Sequence, residues 1–265
     1  TISNPNDAGT TENDQFGFDI ALSDSWTTVL QPTFAGGVKT TITNYYCWLT
    51  VGAKLEESGI HTDIGVAYVY KLMPYQNTKR ELQLSGDLID EVTLPNNGIT
   101  LEYTLEDPNP APESIHDSFN QFGANVVCNE DYAVISAPFA SIGATTVSDV
   151  QQGEIHVFDL SDGSFERTIV SPNQNNSDQL GLHMSLDGTD LAATFADTVA
   201  VWNITTGNVK YTAGTTFGDF GSALSGIAIK DNKLAIGQPN DATDGTGTGR
   251  VLVYNSGSLQ HTISN

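Results

Sequence analysis

The chain has little cysteine and few positive charges. Its 265 residues include two cysteines, and ten Lys and Arg stand against 32 Asp and Glu, which gives a formal net charge of −22. Two cysteines are too few for a disulfide scaffold. Cys47 and Cys128 lie in apolar, strand-like runs, so we predict that both are buried free thiols. The acidic surface repels phosphate backbones and anionic lipids, which excludes nucleic acid as a partner.

Long apolar runs and the short motifs of catalysis are also missing. The sequence holds no apolar stretch of about 18 residues, so we predict no membrane insertion. Its five histidines show no metal-ligand spacing, and no nucleophile motif, phosphate loop or dinucleotide fingerprint occurs. We therefore expect a protein that is not an enzyme. The alternative is a carbohydrate-active enzyme or a lectin, because paired catalytic acids meet in space and not in sequence.

What the chain does have is an internal repeat. Four segments begin alike: DQFGFDIAL at Asp14, NQFGANVVC at Asn120, DQLGLHMSL at Asp178 and GDFGSALSG at Gly218. Each is followed by three more strand-like segments. Internal repeats of this kind are typical of propellers and solenoids. We predict four repeats, at about 14–111, 117–172, 176–213 and 217–265.

The third strand of every repeat carries a valine followed by an aromatic residue. The pairs are Val69-Tyr70, Val157-Phe158, Val201-Trp202 and Val253-Tyr254. Adjacent strand residues point to opposite faces, so each sheet must be covered on both sides. We therefore predict an all-β fold, a β-propeller of about four four-stranded antiparallel blades. His156 shares this strand with apolar counterparts in other repeats, which places it in or near the core.

The FG dipeptides fit the same interpretation. We expect each Phe, or Leu180 in the third repeat, to pack between blades, while the glycine lets another backbone approach closely.

Residues 122–159 resemble the FG-GAP repeat of integrin-type β-propellers, in the bacterial and viral version without a calcium loop. ISAP at 135–138 stands at the GAP position, and IGQP at 236–239 is the second-best copy. The resemblance implies a structural or adhesive module of an extracellular or virion surface assembly, such as a tail appendage, capsid or filament. Its implied partners are other protein subunits and glycans.

One loop of the fourth repeat is a candidate metal site. The connections between the first two strands of the repeats are too short for the six to eight oxygen ligands of calcium. The loop after IGQP holds Asp241 and Asp244, two carboxylates that are our metal candidates, with calcium as the ion. A Gly- and Thr-rich rim loop without any cofactor is the other interpretation, and we expect folding to need no metal.

The first repeat is lengthened by two predicted insertions. Residues 24–47 read as a hairpin that turns at Ala35-Gly36-Gly37, and 74–105 read as a second pair, RELQLSGDLIDEVTL with GITLEYTL. Insertions in repeat proteins map to loops on one face, often the binding face. The aromatic residues near the hairpin are therefore binding candidates: Trp26, Phe34, Tyr45 and Tyr46. The alternative is that they cover the hairpin's own small core.

Two further features concern modification and the chain ends. Asn175 and Asn203 begin Asn-x-Ser/Thr triplets and are candidate glycosylation sites. The sequence TISN occurs at 1–4 and again at 262–265, in the register of a fourth strand. We therefore expect residues 1–4 to complete another blade, within a longer chain.

Overall fold

The computed structural model describes residues 1–6, 14–23, 27–35, 38–56, 64–73, 76–83, 88–95, 98–110, 120–141, 151–196, 198–213, 226–239, 241 and 248–264, with the backbone alone for 27–45 and 76–95. Within these ranges the chain forms strands and no helix, which confirms the all-β prediction. Accordingly, no helix of the described residues is long and apolar enough to cross a membrane.

Four antiparallel sheets of four strands each follow one another along the chain. The first sheet contains β1 (Phe16–Leu22), β3 (Val38–Ala53), β4 (Val66–Leu72) and β7 (Ile99–Glu106). The second contains β8 (Val126–Cys128), β9 (Tyr132–Ala137), β10 (Glu154–Asp159) and β11 (Phe165–Val170). The third contains β12 (Met184–Asp187), β13 (Asp190–Phe195), β14 (Thr198–Asn203) and β15 (Val209–Ala213). The fourth contains β16 (Ile227–Lys230), β17 (Lys233–Gln238), β18 (Arg250–Asn255) and β19 (Ser258–Ser264).

The 16-residue strand β3 also pairs with a second group of strands. Its first half pairs with β2 (Thr27–Ala35) and with β5 (Gln76–Gln83), and β5 pairs with β6 (Leu88–Pro95). Ala35 pairs with Val38, so the hairpin expected within 24–47 is present.

The expectation for 74–105 needs correction. β5 and β6 pair with each other, and β7 pairs with β4 as the last strand of the first sheet. β7 belongs there because its Leu105 is buried in the core beside Trp48 and Phe122.

The sheets stack in series, with an apolar core between each neighbouring pair. Phe122 lies in the core between the first and second sheets, Leu180 between the second and third, and Leu234 between the third and fourth. The first strands β1, β8, β12 and β16 neighbour one another in this order. β1, β8 and β12 line a common cavity of about 360 Å³. Among the described strands, no comparable packing of β16 on β1 closes a ring.

The valine-aromatic pairs do face in opposite directions, as predicted. Val157 lies in the core toward the third sheet and Phe158 in the core toward the first. Val201 faces the fourth sheet, whereas Trp202 faces the second. At each of the three internal interfaces, the valine of one sheet thus faces the aromatic residue of the next.

The FG pair of the second repeat joins the second sheet to the first. The backbone N–H of Phe122 donates to the carbonyl of Ile64 at 2.8 Å. A Cβ on Gly123 would lie 2.7 Å from the carbonyl oxygen of Val66, and the φ of Gly123 is +87°. Only glycine fits such an approach and such a φ, which confirms its expected role at this position.

The two copies of TISN differ in structure. Residues 262–264 belong to β19, the fourth strand of the fourth sheet. Residues 1–4 belong to no strand of the described chain, and Ile2 packs against the cluster around Phe16 and Tyr68.

Candidate functional site

The three ionisable side chains of Asp107, Glu154 and His156 meet in the buried space between the first and second sheets. Asp107 follows the end of β7, whereas Glu154 and His156 lie two residues apart on β10 and therefore share a face. One ligand atom from each residue lies within 4.8 Å of the others. His156 Nε2 is 3.4 Å from Glu154 Oε2 and 3.6 Å from Asp107 Oδ1.

Neighbouring polar groups hold the two carboxylates in place. The backbone N–H of Asn109 donates to Asp107 Oδ1 at 2.8 Å, and the Asn120 side chain donates to Asp107 Oδ2 at 2.9 Å. The side-chain amide of Asn109 donates to Glu154 Oε2 at 3.2 Å and to Thr168 Oγ1 at 3.1 Å.

The histidine ring is held on one side only. Its Nδ1 is 3.1 Å from Thr168 Oγ1, and the imidazole packs at a tilt against the ring of Phe122. Nε2 is buried and has no hydrogen-bond partner. A polar nitrogen left in this state is costly, so its position between two carboxylates calls for an explanation.

Burial moves the pKa values of Glu154 and His156 in opposite directions. It lowers the pKa of His156 to about 4, and the nearby charge of Asp107 partly opposes this change. Burial also raises the pKa of Glu154, which the hydrogen bond from Asn109 opposes and the charge of Asp107 reinforces. Both shifts arise because a buried charge without a counter-charge is unfavourable. A cation shared by the three groups would remove that penalty.

The aromatic binding candidates do not come together as a described surface. Tyr46 is partly buried and packs edge-on against Trp48, with ring centroids 5.1 Å apart. The side chains of Phe34 and Tyr45 and the whole of Trp26 lie outside the described residues. For Tyr46 the packing interpretation therefore fits better than a free contact surface.

Of the two metal candidates in the loop after β17, the structure describes only one. Asp241 Oδ2 forms an ion pair with the guanidinium of Arg250 at 3.1 Å. Asp244 lies outside the described residues. Since a cation of the protein already neutralises Asp241, calcium would have to compete with Arg250 for this carboxylate.

The two glycosylation candidates differ in their surroundings. Asn175 is exposed. The side chain of Asn203 is instead engaged in local hydrogen bonds. Its Oδ1 accepts from the backbone N–H groups of Thr205 and Thr206, and its amide donates to Thr189 Oγ1. Of the two, Asn175 offers the more accessible acceptor.

Sequence reasoning placed single residues correctly but missed the cluster. Cys47 and Cys128 are buried and form no disulfide, and His156 is fully buried, as expected. The available signal was the Glu-x-His spacing within a strand. That spacing predicts a shared face, but nothing in the sequence indicated that Asp107, 47 residues earlier than Glu154 in the numbering, would meet it.

Comparison with solved structures finds a similarity to AztD from Citrobacter koseri. A crystal structure of AztD aligns with a TM-score of 0.41 and 11% identity over 91% of this chain and 84% of that chain. The structure of apo AztD aligns with a TM-score of 0.39 and 12% identity over the same shares. No protein-family model and no curated protein sequence matches the chain. At these values the similarity assigns neither a function nor a ligand.

Proposed function

We propose that this chain is a structural, adhesive β-propeller module of an extracellular or virion surface assembly. In this proposal it joins further copies of itself through the outer faces of its first and fourth sheets. The observation that carries the proposal is the repeated pairing of a valine face with an aromatic face at every internal sheet interface.

That pairing leaves one face of each kind without a sheet against it in the described part of the chain. On the face that the first sheet turns away from the second, Tyr68 and Tyr70 are buried with Ile2 and Phe16 packed against their cluster, while other apolar residues remain exposed. On the same face, Ile20 pairs with Val51 and is 64% exposed, and Leu101 pairs with Tyr70 and is also exposed. Exposed apolar area of this kind marks an interaction surface.

The fourth sheet presents the complementary face. Its Tyr254 packs toward the third sheet, so Val253 faces outward. Val251 and Ile263 are paired neighbours on that outward side, and Ile263 is 59% exposed. A valine face at one end and an aromatic face at the other suit a head-to-tail contact, which is heterologous and closes into rings or grows into filaments.

Two sequence features agree with a surface assembly. The net charge of −22 keeps single modules soluble and disfavours nucleic acid as a partner. The FG-GAP resemblance implies extracellular propellers that contact proteins or glycans. The runner-up is a lectin or carbohydrate-active enzyme, and a glycan array combined with a polysaccharide turnover assay separates it from the leading proposal.

Sedimentation velocity over a concentration series tests the proposal. We expect the wild-type chain to associate, and we expect Ile263→Glu and Leu101→Glu each to remain a monomer, because every head-to-tail contact needs one face of each kind. Each variant keeps one intact face, so an equimolar mixture of the two should form a heterodimer that neither forms alone. Val209→Glu is the matched control, because Val209 is an exposed apolar residue on the third sheet.

A wild-type chain that stays a 28.3 kDa monomer at every concentration would overturn the proposal and favour a ring closed within one chain. Equal loss of association in Val209→Glu would also overturn it, since general surface charge would then explain the effect.

A further inference from the structure

We propose that Asp107, Glu154 and His156 bind a divalent first-row transition-metal ion, with Zn²⁺ the best match. The site lies away from the Asp241 loop and is independent of the association proposed above. It carries two buried carboxylates and a buried imidazole nitrogen without a hydrogen-bond partner, with one ligand atom of each residue within 4.8 Å of the others.

The donor set selects the class of ion. Imidazole nitrogen is a ligand of zinc, iron, nickel and copper, whereas magnesium and calcium take oxygen ligands almost exclusively. Calcium also needs six to eight oxygens, and this cluster supplies one carboxylate from each of two residues. Histidine nitrogen and carboxylate oxygen are both ligands of zinc, and three protein ligands leave the fourth tetrahedral position for water.

The separations between donor atoms fit such an ion. Zinc bonds of about 2.0 to 2.2 Å in tetrahedral geometry place neighbouring ligand atoms about 3.3 to 3.6 Å apart. His156 Nε2 lies 3.4 Å from Glu154 Oε2 and 3.6 Å from Asp107 Oδ1. These distances are too long for good hydrogen bonds and match the edges of a coordination tetrahedron.

The surrounding groups complete the arrangement. Ligating histidines in metal sites use their second nitrogen in a hydrogen bond that fixes the tautomer, and Thr168 stands at that position on Nδ1. Ligating carboxylates are likewise hydrogen-bonded, here by Asn109 and Asn120.

The bound ion would join two sheets. Asp107 follows the last strand of the first sheet, and the other two ligands lie on β10 of the second. An ion that binds the folded state alone stabilises it by mass action, so metal would hold this sheet interface together. The ion would also neutralise the negative charge that burial makes unfavourable.

The experiment uses the full chain after treatment with a chelator. We expect isothermal titration to give one site for Zn²⁺ with a dissociation constant in the micromolar range or below, and much weaker binding of Ca²⁺. At about a hundredfold excess over that constant, the melting temperature should rise by about 5 to 10 °C. Co²⁺ should bind with the visible absorption of a tetrahedral site, and the His156 Nε2 nitrogen resonance should shift on addition of Zn²⁺.

Variants assign the site. His156→Gln and Asp107→Asn should each lower Zn²⁺ affinity by about a hundredfold, while His261→Gln, which changes an exposed histidine on β19, should leave it unchanged. If either ligand variant fails to fold by circular dichroism, the nitrogen resonance of the wild-type protein decides the assignment.

The proposal is overturned if Zn²⁺ produces no melting shift and no resonance shift. It is equally overturned if Asp241→Asn removes binding while His156→Gln does not, or if Ca²⁺ binds as tightly as Zn²⁺.

Discussion

The side-chain amide of Asn120 donates a hydrogen bond to Asp107 Oδ2 at 2.9 Å, which ties the end of the first sheet to the residues that open the second repeat. The same bridge recurs between Asn4 and Asp14 at 3.0 Å and between Ser171 and Asp178. The acceptor Asp107 lies in the segment before its repeat, whereas the acceptors Asp14 and Asp178 open theirs. The donor and the acceptor have therefore exchanged positions between copies. The bond is retained at these three positions while the residues differ.

This bridge should matter most where it is buried. Asn120 is 4% exposed, whereas Asn4 is partly exposed. Removing a donor from a buried carboxylate costs about 1.5 to 3 kcal/mol, because water cannot replace it. We expect Asn120→Ala to lower the free energy of unfolding by this amount in urea titration and Asn4→Ala by less than half as much. Equal losses would show that burial does not set the strength of the bridge.

Two glycines of the FG pairs allow the cost of a steric contact to be measured apart from the cost of a left-handed backbone. Gly17 has a φ of +81° with open space around its Cβ position, whereas Gly123 has a φ of +87° and the Val66 carbonyl 2.7 Å from that position. Gly17→Ala should cost about 1 to 2 kcal/mol for the left-handed backbone alone. Gly123→Ala should cost about 1 to 3 kcal/mol more, because the two sheets must move apart. Urea unfolding of both variants tests this, and equal costs would contradict the close approach.

The third repeat offers a matched pair of leucines. Leu180 is fully buried between the second and third sheets, and Leu182, two residues later, is 41% exposed. Leu180→Ala should destabilise the protein by about 2 to 5 kcal/mol through lost burial and a residual cavity. Leu182→Ala should stay within about 0.5 kcal/mol of the wild type in the same unfolding measurement. A large effect of Leu182→Ala would mean that this side chain is covered in solution.

A charge pair between the third and fourth sheets should give stability a pH dependence. Lys230 and the backbone N–H of Asp231 both donate to Asp187 at 2.7 Å, and they lower the pKa of Asp187 below its ordinary value. A lowered pKa stabilises the folded state above the unfolded value of about 3.9 and loses this contribution as the pH falls through the folded value.

Wild-type protein should therefore lose more stability than Asp187→Asn between about pH 5 and about pH 3, with a difference of about 1 kcal/mol or less for a surface pair. Melting temperatures measured across this range provide the test. Asp190→Asn, which breaks an ion pair with Lys210 inside the third sheet, is the control for loss of a carboxylate. An unchanged pH slope in Asp187→Asn would contradict the assignment.

Local patterns predicted the repeated parts of this fold well. Val201 and Trp202 are adjacent in a strand, so their side chains point to opposite faces of the sheet and lie in different cores. The burial of Cys47, Cys128 and His156 followed from the apolar character of their segments. The same reasoning misplaced β7, because an insertion of strand-like sequence offers several pairings and only the packing of Leu105 selects one.

The sequence by itself determined the strand-rich repeat, the two apolar faces of each sheet and the glycine needed at Gly123, since each depends on the backbone geometry and side chains of a short segment. Only the tertiary structure brought Asp107 to Glu154 and His156, and only it paired Asp241 with Arg250. The physical reason is that such contacts join residues of different strands or linkers. Their distances are set by how strands pair and sheets stack, which no local spacing encodes.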